Sequence, residues 1–198
     1  MPKLVDHEQR RSELGAAVWR VIRRDGIEAA SVRKVAQEAG WSAGALRHYF
    51  STQTELLSFA IQMVVERIEA RVGALAPLAD PREAVEQRLH ELLPLDKERR
   101  AENEVWLAFT GRALVDPQLR ARHEEVDEEL RRACRGALEE LGSAGRLRPK
   151  LDLGLEAERL HGLLDGLALH TAMRPERMSP RLIRSVLARH LDSLDPEG

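Results

Sequence analysis

Apolar residues recur along this chain at the spacing of an α-helix from one end to the other. In the first segment, Leu14, Val18, Val21 and Ile22 occupy positions i, i+4, i+7 and i+8, so they lie on one helical face. Leu and Ala are abundant, whereas Thr, Ile and the aromatic residues, which favour strands, are scarce. The pattern predicts an all-α protein and disfavours a strand-containing fold.

Capping residues and prolines divide this pattern into about nine helices. Ser31 is a good N-cap, Thr52 and Glu55 have the spacing of a capping box, and three prolines stand near predicted starts. The predicted helices span 6–25, 31–39, 42–50, 52–77, 81–94, 97–115, 117–141, 153–173 and 179–194. We expect a three-helix head in residues 1–52, joined through one long helix to a larger helical body in residues 53–198.

Charge is distributed unevenly between these two parts. Residues 1–50 hold nine Lys/Arg and six Asp/Glu, a net charge of +3, whereas the remaining 22 basic and 27 acidic residues give −5. The overall net charge of −2 therefore does not argue against nucleic-acid binding by the head. A solvated helical surface is the alternative explanation of the basic residues.

Composition also disfavours several protein classes. A single cysteine cannot form an internal disulfide, the charged first residues are unlike a signal peptide, and no apolar run approaches the roughly 20 residues of a membrane span. The chain has no Gly-rich phosphate loop, no H-E-x-x-H, no metal-binding cysteine pair and no G-x-S-x-G. We expect a cytoplasmic protein that is not an enzyme, with no catalytic residues, no cofactor and no membrane partner.

The head contains a helix-turn-helix pattern, in which Gly40-Trp41-Ser42 separates two short helical segments. Gly40 supplies the left-handed conformation that ends the first helix, and Ser42 caps the second, whose first N–H groups become available to a phosphate. Leu46 and Phe50 anchor the second helix inward. A helix of this size fits the major groove of DNA, and the residues left to face outward are Ala43, Gly44, Arg47 and His48.

The stretch SVRKVAQEAGWSAGALRHYF, residues 31–50, followed by Glu55-Leu56-Leu57, resembles the DNA-binding head of TetR-family transcriptional regulators. The body is similar to that of BetI-type members at residues 106–109 (WLAF), 116–117 (DP) and 164–168 (LDGLA). The resemblance implies an all-α homodimer that binds a palindromic operator in double-stranded DNA, usually as a repressor. It also implies release from the operator by a small-molecule effector.

The resemblance assigns DNA contacts to particular residues of the head. Arg33 matches a position that often reads a base, and Tyr49 matches one that often contacts phosphate. Arg47 stands where Tyr is frequent and suits either a phosphate or a guanine edge. Gln53 replaces a frequent Lys and lacks its charge, whereas Trp41 replaces Val or Ile and is interpreted as core filling. The predicted DNA-binding residues are Ser31, Arg33, Ser42, Ala43, Gly44, Arg47, His48 and Tyr49.

The last two predicted helices are the expected dimer interface. Gly162 and Gly166 stand four residues apart and allow another helix to approach closely, either within the chain or from a second copy. In the family, these two helices pair with their copies across a two-fold axis. The predicted interface residues are Leu160, Gly162, Leu163, Gly166, Leu167, Leu182, Val186, Leu187, His190 and Leu191.

An effector site is expected in the body, although periodicity does not locate it. In related regulators the pocket is lined by the helix that here carries Trp106, Phe109 and Thr110; core packing is the alternative for each candidate. The secondary candidates are Met63, His161, Asp165 and Met173. A choline-binding cage needs several aromatic rings, and only Phe59, Trp106 and Phe109 follow residue 55, so choline is disfavoured.

Two further hypotheses for the body, a metal site and a redox-sensing cysteine, have less support than the effector site. His161 and Asp165 share a helical face, as metal ligands do, but two residues without a third ligand make a poor site, so we predict no metal. Cys134 lies among leucines and alanines and is interpreted as a small buried apolar residue rather than a redox sensor.

A helical small-molecule-binding or adaptor protein that does not bind DNA remains the alternative to a ligand-responsive repressor. The two hypotheses are distinguished by Arg33, Arg47 and Tyr49. A protein that does not bind DNA does not need exposed basic residues along the second short helix.

Overall fold

The computed structural model describes residues 3–196, and the side chains of residues 3–9, 11, 12 and 43 lie outside that description. Within this part of the chain the structure has nine helices and no strand, so the predicted all-α fold is confirmed. The helices are α1 (Lys3–Asp25), α2 (Val32–Ala39), α3 (Ala43–Leu46), α4 (Gln53–Gly73), α5 (Pro81–His90), α6 (Lys97–Ala113), α7 (Pro117–Ser143), α8 (Leu153–Met173) and α9 (Pro180–Asp192).

The predicted capping residues begin the helices where the sequence indicated. Ser31 caps α2 and its hydroxyl oxygen accepts a hydrogen bond from the N–H of Lys34 at 3.3 Å. Before α4, the Thr52 hydroxyl accepts from the N–H of Glu55 at 3.1 Å, and the Glu55 carboxylate accepts from the N–H of Thr52 at 3.3 Å. This reciprocal pair is the capping box that the spacing predicted.

Several helices end earlier than predicted, and α3, α4 and α5 each end four residues early. Leu93 and Leu95 turn into the core after α5, because a residue before proline disfavours the helical conformation and Pro94 lies between them. The helix predicted over 42–50 ends at Leu46, whose carbonyl oxygen accepts from the N–H groups of both Tyr49 and Phe50 at 2.8 and 2.9 Å. A turn follows Leu46, and the capping box of α4 begins at Thr52, two residues after Phe50.

The chain divides into two compact units. The first runs to Arg67 and includes Glu104–Arg122; the second comprises Ile68–Asn103 and the chain from His123 onward. These units are defined by packing, so the division between a DNA-binding head (1–52) and a ligand-binding and dimerisation body (53–198) stays a prediction. None of the described helices is both long enough and apolar enough to cross a membrane.

In the first unit, apolar faces of α1, α2 and α4 form the core that supports the short helix α3. Leu14 and Val18 of α1, Val35 of α2 and Leu56 of α4 are fully buried. The guanidinium group of Arg67 lies 4.5 Å from the ring centroid of Trp19, so its charge covers the edge of this core. Because the core sets the position of α2 and α3, the turn between them is held on a rigid base.

In the second unit, residues of α5, α7, α8 and α9 form one apolar core that includes the fully buried Val85, Leu138, Leu160 and Ile183. The same unit holds a partly buried ion pair: the Arg71 guanidinium donates to both carboxylate oxygens of Glu102, which is only 4% exposed, at 2.8 and 2.7 Å. Two charge-assisted bonds of this kind offset the cost of burying the carboxylate.

Candidate nucleic-acid interface and effector-binding body

The turn between α2 and α3 has the geometry that its sequence predicted. Gly40 ends α2 with φ of 69°, in the left-handed region that glycine adopts without a Cβ clash. The N–H of Trp41 then donates to the carbonyl oxygen of Ala36 at 2.9 Å, and the Ser42 hydroxyl oxygen accepts from the N–H of Ala45 at 3.1 Å. These bonds fix the angle at which α3 leaves α2.

One side of α3 and of the turn after it is exposed, and the other side is buried. Leu46 and Phe50 are buried in the core of the first unit, as predicted. Gly44, Arg47 and His48 are exposed. The backbone of Ala43 belongs to α3, but its side chain lies outside the described part. The predicted outward face therefore exists, although Arg47 and His48 lie in a turn rather than in the helix.

Several basic side chains of the head are paired within the chain. Glu38 accepts from the guanidinium groups of Arg24 at 2.7 Å and Arg20 at 2.8 Å, and these bonds hold the pKa of its carboxyl below the usual value. Asp25 pairs with Arg24 at 3.1 Å and Lys34 at 3.3 Å, and its pKa is lowered for the same reason. The count of cations in the sequence thus overstates the charge available to a ligand.

Arg33 and Arg47 are different, because neither forms an ion pair with any residue in the described part of the chain, and both are exposed. Arg33 lies in the first turn of α2, and Arg47 directly follows α3. Their charges are therefore available to an anion outside the protein.

Aromatic packing supports the turn beside these arginines. The rings of Trp41 and Tyr49 have centroids 5.5 Å apart at an interplanar angle of 56°, and both residues are partly exposed. The ring pair joins the two short segments, but Trp41 is not one of the buried core residues, so its interpretation as core filling stays a prediction.

Gln53, at the position where related regulators often have Lys, contacts the chain itself. Its amide donates to the carbonyl oxygen of Ala30 at 2.5 Å, which ties the first turn of α4 to the loop before α2. The loss of a charge is thus accompanied by a bond that fixes the start of the helix-turn-helix segment.

A hydrogen bond that the sequence did not predict joins the first turn of α4 to the turn between α6 and α7, both within the first unit. The Thr54 hydroxyl donates to a carboxylate oxygen of Asp116 at 2.9 Å, and this bond lowers the pKa of Asp116. Sixty-two positions separate the two residues, so no local pattern could have paired them.

The seven predicted effector-binding residues fall into the two units. In the first unit, Phe109 is fully buried with its ring 6.2 Å from that of Trp106, and the buried Thr110 hydroxyl has no hydrogen-bond partner among the described residues. Met63 packs beside Gly15, where a Cβ atom would lie 3.4 Å from the Met63 methyl carbon. The residues in the second unit are His161, Asp165 and Met173.

A groove of about 250 Å³ lies in the second unit, between the end of α4 and helices α5 and α7. Its lining includes Val72, Leu78, Gln87, Arg88 and Glu140. None of the predicted effector-binding residues lines this groove, so it does not support the assignment of a pocket to them.

The predicted interface residues separate into two groups by burial. Four of them pack inside the core of the second unit: Leu160, Leu167, Leu187 and Leu191. The others reach the surface: Gly162, Leu163, Gly166, Leu182, Val186 and His190. Three further exposed apolar residues of α8 were not predicted as interface residues: Leu155, Leu169 and Met173. With the two glycines, these three form one face of that helix.

The thiol of Cys134 is fully buried in the core of the second unit. Burial, with smaller effects from Asp165 and Glu158, raises the pKa of this thiol to about 12. The group is therefore protonated at neutral pH, which agrees with its interpretation as an apolar core residue.

Comparison with known proteins identifies both parts of the chain. Residues 15–58 match the family of bacterial regulatory proteins of the tetR type, and residues 81–196 match the C-terminal domain of BetI-type transcriptional repressors. The HTH-type transcriptional regulator PksA of Bacillus subtilis (strain 168) is 42% identical over 197 residues, covering 98% of this chain and 94% of that protein.

Two solved structures have the same fold. A transcriptional regulator from Rhodococcus sp. Rha1 is 32% identical, with a TM-score of 0.78 over 93% of this chain and 95% of the other. A putative transcriptional regulator from Saccharomonospora viridis in complex with choline has a TM-score of 0.78 over 93% and 96% of the two chains, at 21% identity. The match over both parts of the sequence, and over the fold that carries the helix-turn-helix segment, leads to one conclusion. This chain belongs to the TetR family of transcriptional regulators, not to an enzyme family, and its C-terminal part is of the BetI type.

Proposed function

We propose that this protein is a cytoplasmic, dimeric repressor that binds a palindromic operator through α2, α3 and the following turn. A small-molecule effector bound in the body releases it from the DNA. The DNA-binding residues in this proposal are the predicted set: Ser31, Arg33, Ser42, Ala43, Gly44, Arg47, His48 and Tyr49.

The pair of available arginines is the observation that carries the proposal. Neighbouring cations are neutralised by Glu38 and Asp25, whereas Arg33 and Arg47 are exposed at the two segments of the helix-turn-helix. A guanidinium group binds phosphate or the guanine edge through two parallel hydrogen bonds. The alternative, an adaptor that does not bind DNA, leaves these two charges without a function.

A dimer is proposed through the exposed face of α8 together with Leu182 of α9. In the isolated chain a Cβ atom added at Gly162 or Gly166 meets nothing within 4 Å, so packing within the chain does not require glycine there. A second helix can approach closely at two adjacent glycines and cover the exposed Leu169 and Met173. Two copies related by a two-fold axis then place one helix-turn-helix segment on each half-site of a palindromic operator.

The effector is proposed to act on the first unit through α6. The partly exposed Trp106 and the unpaired hydroxyl of Thr110 lie on this helix, which leads into the turn where Asp116 holds Thr54 of α4. A ligand that shifts α6 would displace Asp116 and, through its hydrogen bond with Thr54, move α4 relative to the helix-turn-helix segment. Although one structural neighbour is in complex with choline, Phe109 is fully buried here, so the ring next to Trp106 is not open to a cation.

DNase I footprinting on the DNA upstream of the protein's own coding region tests the proposal. We expect one protected region with an inverted repeat, whose half-site centres are about 10 base pairs or a multiple of that apart. The footprint should shrink when a screened effector that raises the melting temperature of the protein is added. Shuffled DNA serves as the control for non-specific binding. If the upstream DNA shows no protected region at protein concentrations too low to protect the shuffled DNA, the adaptor alternative is favoured.

A further inference from the structure

Three potential metal ligands from two helices meet in the second unit. His161 and Asp165 are one turn apart on α8, and Asp127 of α7 is the third residue. One ligand atom from each lies within 4.8 Å of the other two. No local pattern could have added Asp127 to the pair, because it lies 34 positions from His161 and on another helix.

The imidazole of His161 is the unusual member of this cluster. The residue is only 7% exposed, and its Nε2 atom makes no hydrogen bond to any group that the structure describes. A buried polar nitrogen without a partner is costly, and the great majority of such atoms in folded proteins are satisfied. Nε2 nevertheless points towards Asp127 and Asp165, so the cluster surrounds a nitrogen atom that has no hydrogen-bond partner.

Both distances from Nε2 fit ligands of a shared ion better than direct hydrogen bonds. Nε2 lies 3.4 Å from a carboxylate oxygen of Asp127 and 3.6 Å from one of Asp165. Charge-assisted hydrogen bonds are shorter, at about 2.7–2.9 Å. Two ligands of a tetrahedral ion with bonds of about 2.1 Å are separated by about 3.4 Å, which matches both separations.

The surroundings leave the site negative and open. Asp127 and Asp165 are partly exposed, so an ion has a path from solvent and room for water ligands. The neighbouring cation Arg131 lies 3.9 Å from Glu158 and donates to both carboxylate oxygens of Glu128 at 2.7 and 2.6 Å, so its positive charge is offset.

We propose that Asp127, His161 and Asp165 bind one divalent transition-metal ion that fastens α8 to α7. One imidazole nitrogen and two carboxylate oxygens suit Zn²⁺, Mn²⁺ or Ni²⁺ better than Mg²⁺ or Ca²⁺, which prefer oxygen ligands alone. The ion replaces the missing partner of Nε2 and revises the expectation, drawn from two ligands, that the chain has no metal site. The proposal is independent of DNA binding.

Isothermal titration and thermal unfolding of untagged, EDTA-treated protein with ZnCl₂, MnCl₂, NiCl₂ and MgCl₂ test this proposal. We expect one transition-metal ion per chain and a rise in Tm of about 5–10 °C at an ion concentration of about 100 Kd, with no response to Mg²⁺. Asp127→Asn, Asp165→Asn and His161→Gln should each weaken binding about 100-fold or more, beyond the loss typical of outer-sphere changes.

Two matched variants control for surface binding: Glu129→Gln on α7 and His170→Gln on α8 replace exposed residues outside the cluster and should bind like the wild type. Asp127 and Asp165 are partly exposed, so their replacement by Asn should not prevent folding. If His161→Gln fails to fold, these two variants still show whether the cluster binds the ion. The proposal is overturned if no transition-metal ion binds, or if Asp127→Asn and Asp165→Asn bind as tightly as Glu129→Gln.

Discussion

Arg47→Ala should weaken binding to the operator tenfold or more, the expected loss of about 1–3 kcal/mol for one arginine contact. The wild-type side chain is exposed beside α3 and has no ion-pair partner in the described chain, so its removal does not disturb the fold. Fluorescence anisotropy with a labelled operator at fixed salt measures the change directly. A dimer carries two copies of the residue, so the loss should exceed that of a single contact.

Arg132→Ala is the matched control for this change. Arg132 is an exposed arginine of α7, so its replacement removes the same charge from the body rather than from the head. It should leave operator affinity nearly unchanged. If Arg47 contacts phosphate, its loss weakens all sequences alike and lowers the salt dependence by about one counterion per contact; if it reads guanine, the loss relaxes specificity at one base pair. Equal affinities of Arg47→Ala and the wild type would refute the assignment of Arg47.

Gly166→Glu should convert the dimer to a monomer and lower operator affinity about 100-fold or more, because linked binding of two half-sites contributes 10²–10⁴-fold. A side chain at this position meets nothing within 4 Å in the isolated chain, and replacing glycine inside a helix favours helix formation. The fold should therefore survive, while a charged side chain at the helix crossing prevents close approach. Sedimentation velocity at micromolar protein measures the oligomeric state.

Gly136→Glu controls for the substitution itself. Gly136 is an exposed glycine of α7 whose added Cβ also meets nothing within 4 Å, so the same change is made on a surface outside the proposed interface. This variant should remain dimeric and bind the operator normally. A second interface variant, Leu169→Glu, should reproduce the monomer. If Gly166→Glu and Leu169→Glu both sediment as dimers, the interface lies elsewhere.

The helices were predictable because their signals are local. Apolar spacing marks a buried face, and Ser31, Gly40 and the Thr52–Glu55 pair act within four residues of themselves. Predictions for several helix ends were wrong: Pro94 shortens α5, and a turn follows Leu46 before the cap of α4.

The site residues were predictable only in part. Helix α8 is apolar on two faces, so periodicity could not say that Leu160 and Leu167 face the chain's own core while Leu169 faces outward. The cluster of Asp127 with His161 depends on the packing of two helices and leaves no local trace in the sequence. In the same way, only the structure shows that Glu38 neutralises arginines of the head.

Specific recognition of DNA is the central claim, and one comparison tests it most directly. Anisotropy titrations at about 0.15 M salt should compare the DNA upstream of the coding region with shuffled DNA of the same length and composition. We expect the upstream DNA to bind about 10³-fold more tightly or better, as for specific regulators. Equal affinity for the two DNAs, or no binding to either, would contradict it.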